Sequence, residues 1–183
     1  TAWFLLNDEL RSDAVTTIEE LKNLGFNTEI LSGDHSDQVG ILASQLNIQK
    51  IRGGISPAGK LEYITQLNKQ DMSIMVGDGI NDVPVLAAAP ISIAMNNASD
   101  LAKTHADVIL LNPHLNRLPM LIRQARRCRR IIRQNLIWAL LYNGSVLPLA
   151  ALGLLPPYAA AIGMSTSSLV VVFNALRLNK IRA

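Results

Sequence analysis

Residues 72–82 read MSIMVGDGIND, an apolar run typical of a strand that is followed at once by glycines, an amide and two carboxylates. Ligands of open α/β sheets bind beyond the carboxyl ends of the strands, which is where this run places Asp78 and Asp82. Magnesium prefers oxygen ligands and keeps several waters, so one or two carboxylates and a substrate phosphate satisfy it. Gly77 and Gly79 let the backbone approach closely. The stretch predicts a magnesium and phosphate site, although a plain Gly-Asp turn would give the same pattern.

Short apolar runs alternate with amphipathic runs over the first 111 residues. Strands are predicted at 2–6, 28–31, 72–76, 91–94 and 108–111, and helices at 12–24, 36–46, 58–68 and 81–88. Such alternation indicates an α/β fold in which helices cover a parallel sheet. Ser12 is expected to cap the first helix and Gly25 to end it.

Charge is distributed unevenly along the 183 residues, whose net charge is +3. Residues 1–107 contain all 14 acidic residues and seven basic ones, a net charge of −7. Residues 108–183 contain ten basic residues and no acidic one, a net charge of +10. The two halves are therefore expected to lie in different surroundings.

The basic half also contains two long apolar stretches. From Gln134 to Leu176 there are 43 residues without a charge, interrupted only by prolines at 148, 156 and 157. A helix needs about 20 apolar residues to cross a bilayer. We therefore predict membrane spans at about 135–155 and 159–176, joined by a turn at 156–158. A buried pair of helices in a globular protein is the alternative.

Basic residues flank both predicted spans, since six arginines precede the first and Arg177, Lys180 and Arg182 follow the second. Positive charge favours the cytoplasmic side, so residues 1–134 and the C-terminus are predicted to be cytoplasmic, in a multi-pass protein of the cell (inner) membrane. The six arginines are Arg123, Arg126, Arg127, Arg129, Arg130 and Arg133.

The same arginines could also bind anionic lipid headgroups or nucleic acid. Topology is the simpler explanation, and a half that is both basic and apolar favours membrane lipid over nucleic acid as the partner. The only cysteine, Cys128, cannot form an internal disulfide. The predicted organisation is a sheet domain at 1–112, a basic connecting helix at 113–134, and a hairpin with a short tail at 135–183.

Two further features fall near predicted strand ends. Ser32, Gly33 and Asp34 follow the strand at 28–31, where a hydroxyl and backbone N–H groups could hold a phosphoryl oxygen. Asp34 could instead cap the next helix. Lys60 begins a helix 18 residues before Asp78, where its ammonium could neutralise a phosphate, but most lysines are simply solvated.

Together with Asp8-Glu9-Leu10-Arg11 and the predicted hairpin, these motifs resemble the haloacid dehalogenase superfamily. The resemblance is closest to the C-terminal part of the heavy-metal P-type ATPases. It implies a Rossmann-like phosphorylation domain, partial here, followed by a transmembrane hairpin. In that family ATP phosphorylates an aspartate while a metal ion crosses the membrane, with Mg²⁺ as cofactor.

The resemblance also implies roles for individual residues. Asp78 would ligate magnesium with support from Asp82, and Asn81 would help to position the phosphate. Lys60 would stabilise the charge of the phosphorylated group. The remaining residues implied are Ser32, Gly33 and Asp34 around that group, Gly77 and Gly79 in the magnesium loop, and Asp8 and Arg11 near ATP.

Four residues in the predicted spans indicate the transported metal. Tyr142 and Asn143 lie in the first span, while Met164 and Ser168 lie four positions apart on one face of the second. Thioether sulfur suits monovalent copper better than zinc, and these residues resemble the copper(I) class of the family. Methionine is also a common gap-filler between helices. The run from Arg127 to Leu176 looks similar to the branch that supplies copper to respiratory oxidase assembly.

Several family motifs are absent from these 183 residues, including the Asp-Lys-Thr-Gly-Thr that carries the phosphorylated aspartate. The expected function is therefore the C-terminal segment of an ATP-driven copper(I) exporter, inactive alone. Its expected partners are the missing N-terminal part of the same pump and a copper chaperone. The alternatives are a non-catalytic membrane fragment, a pump for another heavy metal and, last, a membrane-tethered phosphatase.

Overall fold

The computed structural model describes residues 10–34, 37–78 and 80–179. Its chain divides into two compact units, Thr1–Pro119 and Met120–Ala183. The strand predicted at 2–6 lies outside the described residues, as do Asp8, Gly79, Lys180 and Arg182.

The first unit is an α/β domain in which every strand pair is parallel. Strands β1 and β2 form one sheet, and β3, β4 and β5 form a second sheet in that order. The strands are β1 (Glu29–Leu31), β2 (Lys50–Arg52), β3 (Ile74–Gly77), β4 (Ile91–Ala94) and β5 (Val108–Ile109). The helices are α1 (Ala14–Asn23), α2 (Asp37–Gln45), α3 (Pro57–Leu67), α4 (Val83–Ala88) and α5 (Asp100–His105).

Two of these elements, β2 and α5, were not predicted. All three residues of β2 are exposed, so no apolar run marks the strand. Helix α5 has only six residues, and the signal for it is the Ser99 hydroxyl, which accepts a hydrogen bond from the N–H of Ala102 at 3.2 Å. Short elements of this kind lack the hydrophobic period on which sequence prediction depends.

Helix α1 ends as expected but begins differently. Gly25 takes a φ of +85°, and its N–H donates to the carbonyl of Lys22 at 2.8 Å. The N–H of Phe26 donates to the carbonyl of Leu21 at 3.0 Å. This is a Schellman C-cap, which favours glycine because of the positive φ. The prediction that Ser12 caps the helix is wrong: the N-cap position is Asp13, whose side chain makes no capping hydrogen bond.

The sheet of β3, β4 and β5 is covered on both faces. Ala94 belongs to a cluster with Leu86 and Met75, whereas its neighbour Ile93 belongs to another with Leu110. Successive side chains of a strand point to opposite faces, so these two clusters lie on opposite sides of the sheet. Full burial of a leucine such as Leu86 stabilises a fold by roughly 1.5–3 kcal/mol. The predicted α/β fold with a parallel sheet is confirmed.

A serine and an aspartate join β4 to the segment that leads into β5. Asp107 Oδ2 accepts hydrogen bonds from the backbone N–H of Ser92 at 2.8 Å and from its hydroxyl at 2.9 Å. The pKa of Asp107 is lowered chiefly by the backbone hydrogen bond from Ser92 and then by the hydroxyl. The ionised carboxylate is therefore the form that holds the two segments together.

Helix α3 is fixed at its N-terminus and near its middle. Pro57 occupies its first turn, and the Ser56 hydroxyl accepts a hydrogen bond from the N–H of Gly59 at 3.1 Å. Further along, the Tyr63 hydroxyl donates to Glu29 of β1, which also pairs with Lys50 at 2.9 Å. Burial raises the pKa of Glu29, but the hydrogen bonds from Tyr63 and Lys50 outweigh it and the net shift is downward.

The second unit is a helical hairpin. Helix α6 (Arg117–Ala151) starts in the last residues of the first unit, and α7 (Pro157–Leu176) follows it. The predicted connecting helix and first span are thus one continuous helix. Gly153 (φ +71°) ends α6 with a second Schellman cap, in which the N–H of Leu154 bonds the carbonyl of Leu149 at 3.0 Å. The turn therefore comes earlier than predicted, because the prolines at 156 and 157 start α7 instead of forming the turn.

Polar and small residues bring α6 and α7 together. Trp138 Nε1 donates to Ser167 Oγ at 3.0 Å, and Asn174 Nδ2 donates to Asn135 Oδ1 at 2.9 Å. At Gly163, an added Cβ would lie only 2.5 Å from the Tyr142 hydroxyl. Such contacts between small residues and hydrogen-bonding side chains are the usual means of helix association in membranes.

One helix among the described residues is long and apolar enough to cross a membrane, by length and composition. It runs over 23 residues, Pro157–Asn179, and none of its apolar window is buried. The second predicted span coincides with it. Helix α6 is less apolar, because Asn135, Tyr142 and Asn143 interrupt its aliphatic residues. The first span therefore stays a prediction.

The close approach at Gly163 gives a test of the hairpin. Gly163→Ala is expected to lower its free energy of unfolding by about 1 kcal/mol, because the new methyl group collides with the Tyr142 hydroxyl. Unfolding by sodium dodecyl sulfate in micelles, followed by circular dichroism, measures the change. In a Tyr142→Phe background the penalty should vanish, since the next ring atom lies 3.5 Å away.

Gly144→Ala is the matched control, because nothing lies within 4 Å of an added Cβ there. It should stabilise the helix by about 0.5–1 kcal/mol through backbone entropy. Equal effects of the two substitutions would contradict the described packing.

Candidate functional site

The candidate site begins where β3 ends. The carbonyl of Gly77 accepts a hydrogen bond from Met95 N–H at 3.1 Å, and that of Asp78 accepts one from Ser99 N–H at 3.2 Å. These bonds hold the loop against the segment that follows β4. A Cβ on Gly77 would lie 3.3 Å from the Cβ of Asp82 and 3.4 Å from its Oδ2. Gly77 thus lets the turn at Ile80–Asp82 fold back on the strand end, which brings Asp82 next to it.

A buried ion pair joins this turn to α3. Lys60 Nζ lies 2.8 Å from Asp82 Oδ1, and the two side chains are only 11% and 16% exposed. The alternative that Lys60 is an ordinary solvated lysine is thereby excluded. Burying two charges is costly, and the cost is offset only when both partners are present. The pair therefore fixes the ammonium beside the end of β3, as the predicted role of Lys60 requires.

Asn97 is a site residue that sequence reasoning missed. It lies in the segment after β4, and its side-chain Nδ2 donates to Asp78 Oδ2 at 3.3 Å. The available signal was its position, since the carboxyl ends of neighbouring parallel strands lie at the same sheet edge. Asn97 thereby restricts the orientation of the exposed Asp78 carboxylate.

The loop after β1 is tied to the start of α3. The N–H of Asp34 bonds the Ser32 hydroxyl at 3.1 Å, and the Ser32 carbonyl accepts from the N–H of Ile55 at 3.1 Å. The Asp34 carbonyl accepts from Gly54 N–H at 2.8 Å. Residue 55 immediately precedes the cap of α3, so the Ser32-Gly33-Asp34 loop and Lys60 are positioned by one connected backbone network.

The contacts of the other predicted site residues connect them less directly to the site. Asn81 is exposed in the turn before α4. Arg11 donates through Nη1 to the carbonyl of Pro113 at 2.6 Å, so part of its guanidinium is engaged within the domain. Its nucleotide role stays a prediction, as do those of Asp8 and Gly79, which lie outside the described residues.

The four residues predicted to line a metal path occupy two kinds of position in the hairpin. Tyr142 is half-buried on the face of α6 that meets Gly163 of α7. Asn143, Met164 and Ser168 are exposed, and Met164 and Ser168 lie beside the packed Gly163 and Ser167. The Ser168 hydroxyl donates to the Met164 carbonyl at 3.0 Å, which places the two on one helix face.

The carboxylates after β3 are ligands that suit magnesium. No group of three or more His, Cys, Asp or Glu side chains that could hold a metal ion occurs within 10–34, 37–78 and 80–179. Magnesium needs only one or two carboxylates when a phosphate and waters complete its shell. Asp78 supplies one carboxylate, and Asp82 retains Oδ2 beside Gly77 while Oδ1 binds Lys60.

Comparison with known proteins agrees with this geometry. The family model of haloacid dehalogenase-like hydrolases matches residues 2–90. With its parallel sheet and its carboxylates at a strand end, the first unit has the α/β fold of the haloacid dehalogenase-like hydrolases, to which residues 2–90 are similar.

The match extends to the second unit in longer proteins. The chain is 43% identical to the nitrogen fixation protein FixI of Rhizobium leguminosarum bv. viciae, over 97% of this chain and 24% of that protein. It is 38% identical to a copper-exporting P-type ATPase of Staphylococcus haemolyticus, over 96% of this chain and 22% of that protein. The crystal structure of a zinc-transporting PIB-type ATPase in the E2.Pi state superposes with a TM-score of 0.87 at 37% identity, over 93% of this chain and 28% of that one.

These matches confirm the resemblance: the chain is a relative of the heavy-metal P-type ATPases over nearly its whole length. It spans about a quarter of the length of the curated relatives that it matches.

The hydrogen bond from Asn97 to Asp78 gives a test of the site. Asn97→Ala should raise the Mg²⁺ concentration that half-saturates the loop by about tenfold, because a partner that orients a metal ligand commonly contributes that much to affinity. Amide chemical shifts of residues 74–99 in the full chain, titrated with Mg²⁺ in the presence of phosphate, report the binding.

Asn96→Ala is the matched control, because Asn96 is the exposed neighbour of the same residue type. The Mg²⁺ concentration that half-saturates the loop should be the same in this variant as in the unaltered chain. If the Asn97 and Asn96 variants shift the midpoint equally, Asn97 does not position Asp78.

Proposed function

We propose that this chain is the C-terminal part of an ATP-driven heavy-metal pump that works through an aspartyl-phosphate intermediate and exports copper(I). The observation that carries the proposal is the buried pair of Lys60 and Asp82, 2.8 Å apart beside the end of β3. It fixes an ammonium beside the turn that follows β3, the strand that leads into Asp78. Fixed charges of both signs at one strand end suit a site that holds a phosphoryl group and a divalent cation.

Each residue of the proposed site would have a defined task. Asp78 would hold Mg²⁺ in the orientation that Asn97 favours, supported by Asp82 Oδ2, which lies against Gly77. When bound, the ion would neutralise charge on the phosphoryl oxygens. Lys60 would add positive charge that needs no rearrangement, because Asp82 already holds it in place. The Ser32 loop would donate to the remaining phosphoryl oxygens.

The phosphorylated aspartate would come from another segment of the pump. Among the described residues, β1 and β3 are edge strands of their sheets, and both lead directly into site motifs, at Ser32 and Asp78. A parallel strand paired with either edge would bring its own carboxyl end to the same place. This supports the missing N-terminal part of the pump as the partner that completes the site.

The choice of copper rests on the second unit. Residues 108–183 contain no carboxylate side chain, so within this segment a borderline ion such as zinc would find no acidic ligand. Met164 offers a thioether, which suits monovalent copper. Tyr142, Asn143 and Ser168 would line the path with it. A curated relative that exports copper is 38% identical to the chain, which supports the same assignment.

A pump for another heavy metal is the second candidate, because the zinc-transporting structure matches the chain at a TM-score of 0.87. In either case the hairpin would lie in the cell membrane in contact with lipid, with residues 1–134 and the C-terminus in the cytoplasm. A copper chaperone would deliver the ion if the metal is copper. A non-catalytic fragment remains the alternative to any pump.

The magnesium role of Asp78 can be tested in a chimera in which this chain replaces the matching part of the cation-transporting ATPase of Haemophilus influenzae, which is 41% identical over 180 residues. Asp78→Asn should lower phosphoenzyme formation from labelled ATP by about a hundredfold, because a metal-bound charge contributes several kcal/mol. Asp71→Asn, at an exposed position before β3, is the control. Normal phosphoenzyme in the Asp78 variant would refute the assigned role.

The metal assignment can be tested in the same chimera. Met164→Ala should reduce copper-stimulated ATP hydrolysis by about tenfold while nucleotide binding is retained, because the thioether is lost. Met164→Leu keeps the volume and removes only the sulfur, so it should behave like the alanine variant. Activity retained by the leucine variant, or equal stimulation of the parent chimera by zinc and copper, would count against copper.

A further inference from the structure

The second unit contains an open groove lined mainly by arginine residues. Its volume is about 340 Å³. A water molecule takes about 30 Å³ in the liquid, so the groove has room for roughly ten waters or for a phosphate group with its nearest substituents. Its lining residues are Arg123, Arg126, Arg127, Arg130, Ile131, Gln134 and Arg177.

Helical periodicity explains why only some of the arginines line this groove. The lining positions of α6 recur at intervals of three or four residues, from 123 through 134, so they share one face of the helix. Arg129, which lies off that face, and Arg133, which lies at its edge seven residues after Arg126, belong to the same basic segment, and neither lines the groove. The arginine cluster therefore has two positively charged faces. One lines the groove, and the other, the plain face of Arg129 and Arg133, does not.

The wall contributed by α7 is held by a hydrogen-bond network. Arg127 donates to the backbone carbonyl of Arg177, and Arg177 Nη1 donates to Asn174 Oδ1 at 3.1 Å. Asn174 in turn donates to Gln134 at 3.2 Å and to Asn135 at 2.9 Å. The groove is thus built before any ligand binds, so little conformational entropy is lost on binding.

Charge and position identify the ligand chemistry. The groove belongs to residues 108–183, a segment with a net charge of +10 and no acidic side chain, and such a segment favours an anionic ligand. Guanidinium forks match the geometry of phosphate oxygens. Gln134, four residues and about 6 Å of helix rise beyond Arg130, begins a stretch of 43 residues without a charge. The groove therefore lies at the boundary between charged and apolar chain, where a lipid headgroup would lie.

We propose that this groove binds the phosphate of an anionic phospholipid headgroup at the cytoplasmic membrane surface. The proposal rests on the membrane position of the hairpin, which belongs to the proposed function, but it does not depend on ATP or metal chemistry. A soluble phosphate and a nucleic acid offer the same oxygen atoms. The boundary position favours the lipid, because only the lipid brings acyl chains to the adjoining apolar helices.

The test uses the full chain in a neutral detergent, without ATP or metal. Short-chain phosphatidylglycerol and phosphatidylcholine are titrated in parallel, and native mass spectrometry counts the lipids bound. One phosphatidylglycerol should bind at least about tenfold more tightly than phosphatidylcholine. The double substitution Arg126→Gln and Arg130→Gln should weaken its binding about twentyfold, at about fivefold for each arginine near a membrane surface.

The matched control is the pair Arg129→Gln and Arg133→Gln, which removes the same charge from the plain face. It should weaken binding less than threefold, with helix content unchanged by circular dichroism. Equal losses of phosphatidylglycerol affinity in the two double variants would overturn the proposal. They would show that the lipid is attracted to positive charge in general and not to the groove.

The unaltered chain provides a measurement that needs no variant to fold. Inorganic phosphate at 10 mM and a short single-stranded RNA are added separately to the phosphatidylglycerol complex. Retention of the lipid supports the proposal. Displacement by phosphate would assign the groove to a soluble anion, and displacement by RNA would assign it to nucleic acid; either result would overturn the lipid assignment. Failure here would leave the phosphoenzyme tests of the pump unaffected.

Discussion

The ion pair of Lys60 and Asp82 determines how the candidate site is put together. It joins α3 to the turn after β3 through two residues that are 22 positions apart in the chain. Removing either partner would leave a buried charge without compensation, which commonly costs about 3–5 kcal/mol. The rest of the site is consistent with this pair: Asp82 lies against Gly77, where a side chain would collide with it, and the cap at Ser56 sets the start of α3, whose first turn contains Lys60.

Two backbone networks converge on that pair from opposite sides. The loop after β1 is bonded to the segment at 53–55 that leads into α3, and the loop after β3 is bonded to the segment that follows β4. Each network is made of main-chain hydrogen bonds, which do not depend on the identity of most side chains. The residues of the candidate site are consequently confined to a few positions at the strand ends. Residues elsewhere can serve the packing of the core.

The sequence predicted the elements that carry a strong hydrophobic period, such as α1, α3 and β3, and it predicted Asp78, Asp82 and Lys60 from their places beside those elements. It did not predict β2, whose three residues are all exposed, because a short exposed strand has no apolar pattern. It missed Asn97 for a different reason. Only the parallel pairing of β3 with β4 brings that residue to Asp78, and such a contact between separate strands has no local signature. The turn predicted at 156–158 was also wrong, because Gly153 ends α6 and the prolines begin α7.

In the hairpin, the same polar residues that make α6 less apolar also hold it to α7. Asn135, Trp138 and Tyr142 each meet a small or polar residue of α7, at Asn174, Ser167 and Gly163. Leucines in those positions would make α6 more hydrophobic, but between helices in lipid they would contribute no preference for one register, since acyl chains are equally apolar. High hydropathy of α6 and a defined register of the hairpin therefore require different residues on the same helix face. The register in turn sets which arginines face Arg177, so the groove at the basic end depends on polar contacts made inside the apolar segment.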